Sequence, residues 1–132
     1  MTEQLILSDG EEEEEEGKEE ERVPVGRSWH TMVKIDNAHL FLYGGLSDQN
    51  EALGDAWLLD TASFRWTRIK SSFETRLWHS ATTSGHSNSP IYIIGGSVSN
   101  IYFHQPKFPR HALKISLSPE SLQKYIYKYK IV

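Results

Sequence analysis

The 132 residues contain no cysteine. That single absence excludes disulfide staples, thiolate-held zinc and cysteine nucleophiles together. No apolar run approaches the ~20 residues that a membrane-crossing helix needs. The six histidines, at 30, 39, 79, 86, 104 and 111, never fall in a His-x-x-x-His spacing, so zinc is not expected and no metal ligands are assigned. Ser28 and His30 have no visible third partner for a nucleophilic triad, and no catalytic residue is assigned. Basic charge is scarce at the start, where residues 1–22 carry 11 of the 18 acidic side chains against Lys18 and Arg22 alone. The opening MTEQLILSDGEEEEEE is the opposite of a secretory signal, which leaves a soluble intracellular protein as the expectation. The acidic run repels itself and buries too little apolar surface to offset its ordering entropy, so 1–22 reads as a disordered tail. A functional version would have it shield a basic face from acidic ligands, since residues 23–132 carry 12 basic against 7 acidic side chains.

What is present is a repeat. Residues 27–45 read RSWHTMVKIDNAHLFLYGG and residues 76–96 read RLWHSATTSGHSNSPIYIIGG. Each opens Arg-x-Trp-His, passes a turn and climbs a short apolar strand to a Gly-Gly pair, and the two pairs lie 51 positions apart. A period of about 50 residues built of strands and paired glycines points to a kelch-type β-propeller rather than a helical solenoid. Propellers of that period use four strands per blade, so this chain supplies roughly two and a half blades. Such folds present loops around a central pocket, which makes a binding surface the expected kind of site.

The expected class is therefore all-β: a kelch β-propeller fragment of about two blades with a short C-terminal helix. Residues 23–70 form the first blade. Its strands are Trp29 to Lys34, Leu40 to Tyr43, Asp55 to Asp60 and Phe64 to Ile69, with Asp36-Asn37 and Thr61-Ala62-Ser63 as turns. Residues 71–117 form a second blade lacking its outer strand, with strands at Arg76 to Ser84, Ile91 to Ile94 and Ala112 to Leu117. Ser118-Pro119-Glu120 is a helix-start signal, with Ser as cap and Pro in the first helical position, so 118–132 reads as a helix. The alternation of Tyr and Lys from Tyr125 to Lys130 also fits a strand. Leu5-Ile6-Leu7 fits an outer strand, either exchanged between chain ends or left over from a preceding blade.

The stretches Pro24 to His30, Leu40 to Gly45, Asp55-Ala56-Trp57 and Arg76 to His79, with the trailing Ser-Pro-Glu-Ser-Leu, resemble the last two blades of kelch domain-containing proteins one and two. That family consists of substrate receptors of cullin-RING ubiquitin ligases, active in the nucleus and cytoplasm. The resemblance implies recognition of C-terminal degrons, peptides ending in Gly-Gly whose free carboxylate sits at the bottom of a pocket. It assigns substrate binding to Ser28 and Trp29 in the GRSWH motif and to Trp78 in RLWH. A hydroxyl would donate to the carboxylate, and indoles would wall a slot that only glycine-sized residues enter. The family's carboxylate-clamping arginines belong to an earlier blade. Its adaptor box, which docks elongin C and through it a cullin, would begin at Ser121-Leu122, with Ile126 in place of a small residue and Lys130 in place of an apolar one.

Arg27, His30, Arg76 and His79 occupy matching places in both repeats, which favours a structural network over chemistry. Trp57 and Trp66 read as packing residues. No enzyme, cofactor, nucleic-acid or membrane role is expected. The reading from another class is a structural or scaffold propeller piece, or a truncated product, without independent activity.

Overall fold

In the computed structural model, residues 3–6, 22–69, 73–86, 89–99, 105, 107–117 and 124–130 are described, with the backbone alone at 3–6 and 124–130. Their secondary structure is entirely β, in two antiparallel sheets. The first sheet contains β2 (Arg27–Ser28), β3 (Thr31–Lys34), β4 (His39–Ser47), β5 (Ala52–Asp60) and β6 (Trp66–Arg68). The second runs from β7 (Ser80–Thr82) through β8 (Ile91–Ile94) and β9 (His111–Leu117) to β10 (Lys124–Lys130) and β1 (Glu3–Ile6). Each sheet is one blade, and the repeat in the sequence is a repeat in register. Thr31 pairs with Tyr43 as Ser80 pairs with Ile94, and Met32 pairs with Leu42 as Ala81 pairs with Ile93.

The blades share one core. Phe41, Tyr43, Ala56 and Leu58 of the first sheet cluster with Ile91, Ile93, Leu113 and Ile115 of the second, all buried. Apolar residues at alternate positions of each strand supply one face, and that face is what the neighbouring blade covers. Side chains of this size contribute about 1.5–3 kcal/mol each when fully buried, so the interface between blades, more than either sheet alone, holds the fold.

The C-terminal segment departs from expectation. Lys124–Lys130 is a strand, not part of a helix, and pairs along its whole length with β9, from Lys124 opposite Leu117 to Lys130 opposite His111. Two physical reasons favour this outcome. The edge of β9 carries backbone groups that need partners, and the Tyr-Lys alternation has the two-residue period of a strand. The second blade therefore has its fourth strand rather than lacking it. Of the expected disordered tail, Glu3–Ile6 pairs with β10 from Glu3 opposite Tyr129 to Ile6 opposite Ile126. The cap signal at Ser118-Pro119-Glu120, Ser121-Leu122 and the acidic run from Glu11 to Glu16 lie outside the described residues.

Candidate functional site

The innermost strand of the first blade is broken at Trp29. Its φ is +58°, and Trp78 at the matching position has φ +60°. Left-handed backbone is rare for bulky residues and costs on the order of 1–2 kcal/mol, yet it occurs here twice in the same place. The sequence reading ran the first strand continuously from Trp29 to Lys34. The strand instead begins at Thr31, and a separate short strand, β2, precedes the kink, because a left-handed residue cannot continue the pleat.

The Gly-Gly pairs explain how the kink is accommodated. A Cβ on Gly45, itself at φ +103°, would stand 2.5 Å from the Ser28 carbonyl oxygen and 2.9 Å from His30 Cβ. Gly96 meets the Leu77 carbonyl oxygen at 2.4 Å and the His79 nitrogen at 2.7 Å in the same way. The second glycine of each pair thus makes room for the Trp kink of its own blade. The first serves the next blade: a Cβ on Gly44 would stand 2.5 Å from the Arg76 carbonyl oxygen.

Both kinks deliver their indoles to one place. The rings of Trp29 and Trp78 have centroids 4.8 Å apart at an interplanar angle of 57°, and the Trp78 N–H donates to the Trp29 carbonyl at 3.1 Å. Trp78 is 45% exposed, so a large part of its ring remains open to a ligand. Ser28, one residue before the first kink, is exposed and pairs with Leu46 at the same end of the sheet. The matching position in the second blade is Leu77, fully buried and bridged to Ser97. The hydroxyl is therefore peculiar to the first blade.

Around this aromatic pair lies a buried polar frame. Arg27 makes a bidentate pair with Asp55 at 2.6 and 2.9 Å and also donates to the Gly44 carbonyl at 3.2 Å. Trp57 Nε1 donates to the same carboxylate at 2.7 Å. Burial pushes the Asp55 carboxyl up, but the hydrogen bonds from Arg27 and Trp57 outweigh it and hold the group below its ordinary range. Arg76, fully buried, donates to the His111 carbonyl at 2.5 Å and lies 3.6 Å from Glu74 Oε2. His79 Nε2 bonds Thr31 Oγ1 at 2.7 Å across the two blades, and burial, then the Arg76 charge, lowers its pKa to about 4. Nε2 of the neutral imidazole is thus paired with the threonine hydroxyl, and Nδ1 is buried.

The assigned residues thus sit as follows. Trp29 and Trp78 are in contact, and Ser28 is adjacent to Trp29 in chain and exposed. Arg27, Arg76 and His79 form the structural network, whereas His30 is exposed. Trp57 packs edge-on to Trp66 at 6.5 Å, under the Arg68 guanidinium at 5.9 Å. Sequence reasoning passed over Asp55, read as the first residue of a strand, although a carboxylate beside an inward Trp in a repeat with a buried Arg was the available signal. It also passed over a cleft of about 450 Å³ at the Ser28 end of the sheet, lined by Val25, Leu53, Asp55, Arg68, Phe73 and Thr75 among others. Among the described residues, no cluster of three His, Cys, Asp or Glu side chains is arranged to hold a metal.

No protein-family profile matches the chain. It is 32% identical over 102 residues to kelch domain-containing protein 2 of Bos taurus, covering 75% of this chain and 25% of that protein. It is 36% identical over 101 residues to kelch domain-containing protein 1 of Mus musculus, covering 75% and 24%. It is also 39% identical over 75 residues to tRNA wybutosine-synthesizing protein 4 of Saccharomyces cerevisiae, covering 56% of this chain and 10% of that protein. The chain spans about a quarter of the length of its kelch domain-containing relatives.

Proposed function

The chain is kelch-repeat β-propeller sequence, about two blades of it, similar to kelch domain-containing proteins 1 and 2, and from that premise we propose that it binds protein C-termini as part of a ubiquitin-ligase substrate receptor. The observation that carries this reading is the pair of indoles at Trp29 and Trp78, each held in left-handed backbone and brought to 4.8 Å from the other. Strain of this kind persists where surrounding structure over-determines it, and it concentrates at ligand clamps. Here the frame is built to hold it, with a glycine cut out behind each kink.

The roles follow from chemistry. The exposed faces of Trp29 and Trp78 form an aromatic wall against which an extended, glycine-ended backbone can lie. The Ser28 hydroxyl donates to the terminal carboxylate. Arg27, Asp55 and His79 are engaged in bonds within the chain, which supports a binding module rather than an enzyme. Recruitment of elongin C and a cullin through residues 118–132 rests on the resemblance alone and would require Lys124–Lys130 to leave the sheet.

The test is fluorescence anisotropy of the full chain with a labelled peptide ending in Gly-Gly, as free acid and as amide. A charge-assisted hydrogen bond contributes about 1.5–3 kcal/mol, so the amide should bind at least about tenfold more weakly. Equal affinity for acid and amide would remove carboxylate capture from the reading.

A further inference from the structure

The joint between the two blades is built from parts that the chain carries twice. Inside, the Gly45 N–H donates to the Arg76 carbonyl at 2.8 Å, and His79 reaches Thr31 while its ring packs 4.9 Å from that of Tyr43. His79 Cε1 would lie 2.9 Å from a Cβ on Gly44, so only glycine admits it. By register, Thr31, Tyr43 and Gly44 of the first blade correspond to Ser80, Ile94 and Gly95 of the second. Arg76 and His79 correspond to Arg27 and His30.

Among the described residues this second set of parts meets no neighbouring blade, and the Ser80 hydroxyl donates only within its own blade, to the Ile94 carbonyl at 3.3 Å. Ser80 is exposed, Ile94 is 45% exposed, and no atom of the described residues lies within 4 Å of a Cβ on Gly95 although its φ is +75°. On the opposite face His30 is exposed, as is Met32 beside it. One face is a receptor for an Arg-x-Trp-His corner, and the other presents such a corner.

We propose that the second blade of one copy receives the Arg27–His30 corner of another, so that chains associate head to tail. In that joint the His30 imidazole bonds the Ser80 hydroxyl and covers Ile94, and the Arg27 carbonyl takes the place beside Gly95 and Gly96 that the Arg76 carbonyl takes beside Gly44 and Gly45. The contact is heterologous, so it closes into a ring or grows. Propellers of ~4–8 blades are reached by two to four copies of a two-blade chain. The joint is weaker than the internal one, because Thr82 and Ser84 stand where Val33 and Ile35 stand in the first blade.

Light scattering on the full chain across a concentration series tests this by mass, independently of peptide capture. The expected result is a discrete species of about two to four chain masses. Ile94→Glu disables the receptor face and His30→Glu the corner; Ser80→Glu repeats the first test if Ile94→Glu loses its circular dichroism spectrum. Each variant alone should be monomeric, and an equimolar mixture of the two should give a heterodimer through the one joint left intact. A wild-type monomer at every concentration would overturn the proposal and leave these faces to blades of other sequence. Oligomers that persist in the single variants, or a mixture that stays monomeric, would overturn it equally.

Discussion

Trp78 donates its backbone N–H to the carbonyl of Trp29 while the two indoles meet at 4.8 Å, so backbone and side chain join the blades at the point where both residues are left-handed. The side chain of Trp78 is nevertheless nearly half exposed. Trp78→Ala should therefore reduce affinity for a Gly-Gly-ended peptide by about tenfold or more. Its stability loss is limited to the ring contact, about 0.5–1.5 kcal/mol plus modest burial. Because φ is +60°, Trp78→Gly should be at least as stable as Trp78→Ala, the reverse of the usual order in a strand. Thermal melts of the two variants beside peptide titrations would check both statements. A large fall in melting temperature for Trp78→Ala would mark the ring as core and remove it from the site.

The glycines divide the same way. Gly44, at φ +68°, would press a Cβ to 2.5 Å from a backbone oxygen, whereas Gly95, at φ +75°, meets no described atom. Gly95→Ala should cost only the left-handed penalty, about 1–2 kcal/mol. Gly44→Ala adds a clash with backbone that cannot swing aside and should cost at least about 3 kcal/mol. Denaturant melts of the two variants give the comparison directly, and equal losses would show that the joint relaxes around an added methyl.

The repeat itself was legible because its parts are local. A Trp-His pair, a turn, an apolar run and two glycines lie within about twenty residues, and each has its own backbone signature. The reason for two glycines rather than one was not legible, since Gly45 answers a kink in its own blade and Gly44 answers Arg76 of the next. Nothing in an Arg-x-Trp-His motif announces φ above zero at Trp. The C-terminal segment carries two local signals, a helix cap worth about 1 kcal/mol and a Tyr-Lys alternation with the period of a strand, and what favours the strand at Lys124–Lys130 is the long-range pairing of seven residues against β9. Asp55 went unread because its partner Arg27 is 28 positions away.

The Arg27–Asp55 pair should dominate acid sensitivity at the low end. Both side chains are largely buried, with exposures of 3% and 12%. The carboxyl is depressed in the folded chain, so its contribution is complete above the unfolded value near 3.9 and is lost as pH falls through the folded value. Asp55→Ala strands a buried guanidinium and should cost about 3–5 kcal/mol at neutral pH. The double variant Arg27→Leu/Asp55→Leu should lose less than Asp55→Ala alone, because no uncompensated charge remains. Urea melts at pH 7 for the three proteins would decide it, and a double variant weaker than the single would mean that the pair is a net source of stability.

His79 sets the next window upward. Buried between the blades and facing the Arg76 charge, it stays neutral in the folded protein down to about pH 4, while in the unfolded chain it takes up a proton near its ordinary value of 6.5. Between those values the unfolded state binds more protons, so stability falls as pH is lowered from 6.5 to 4 and is fully present above 6.5. The shift corresponds to a loss of at most roughly 3 kcal/mol across that window. His30, lowered by burial and then by Arg27, acts in the same direction. His79→Gln keeps a polar group facing Thr31 but cannot take up a proton. Its stability should fall less steeply between pH 6.5 and 4.5 than that of the wild type, with His30 supplying the slope that remains. Parallel slopes for the two proteins would place the proton uptake elsewhere and return His79 to a packing role alone.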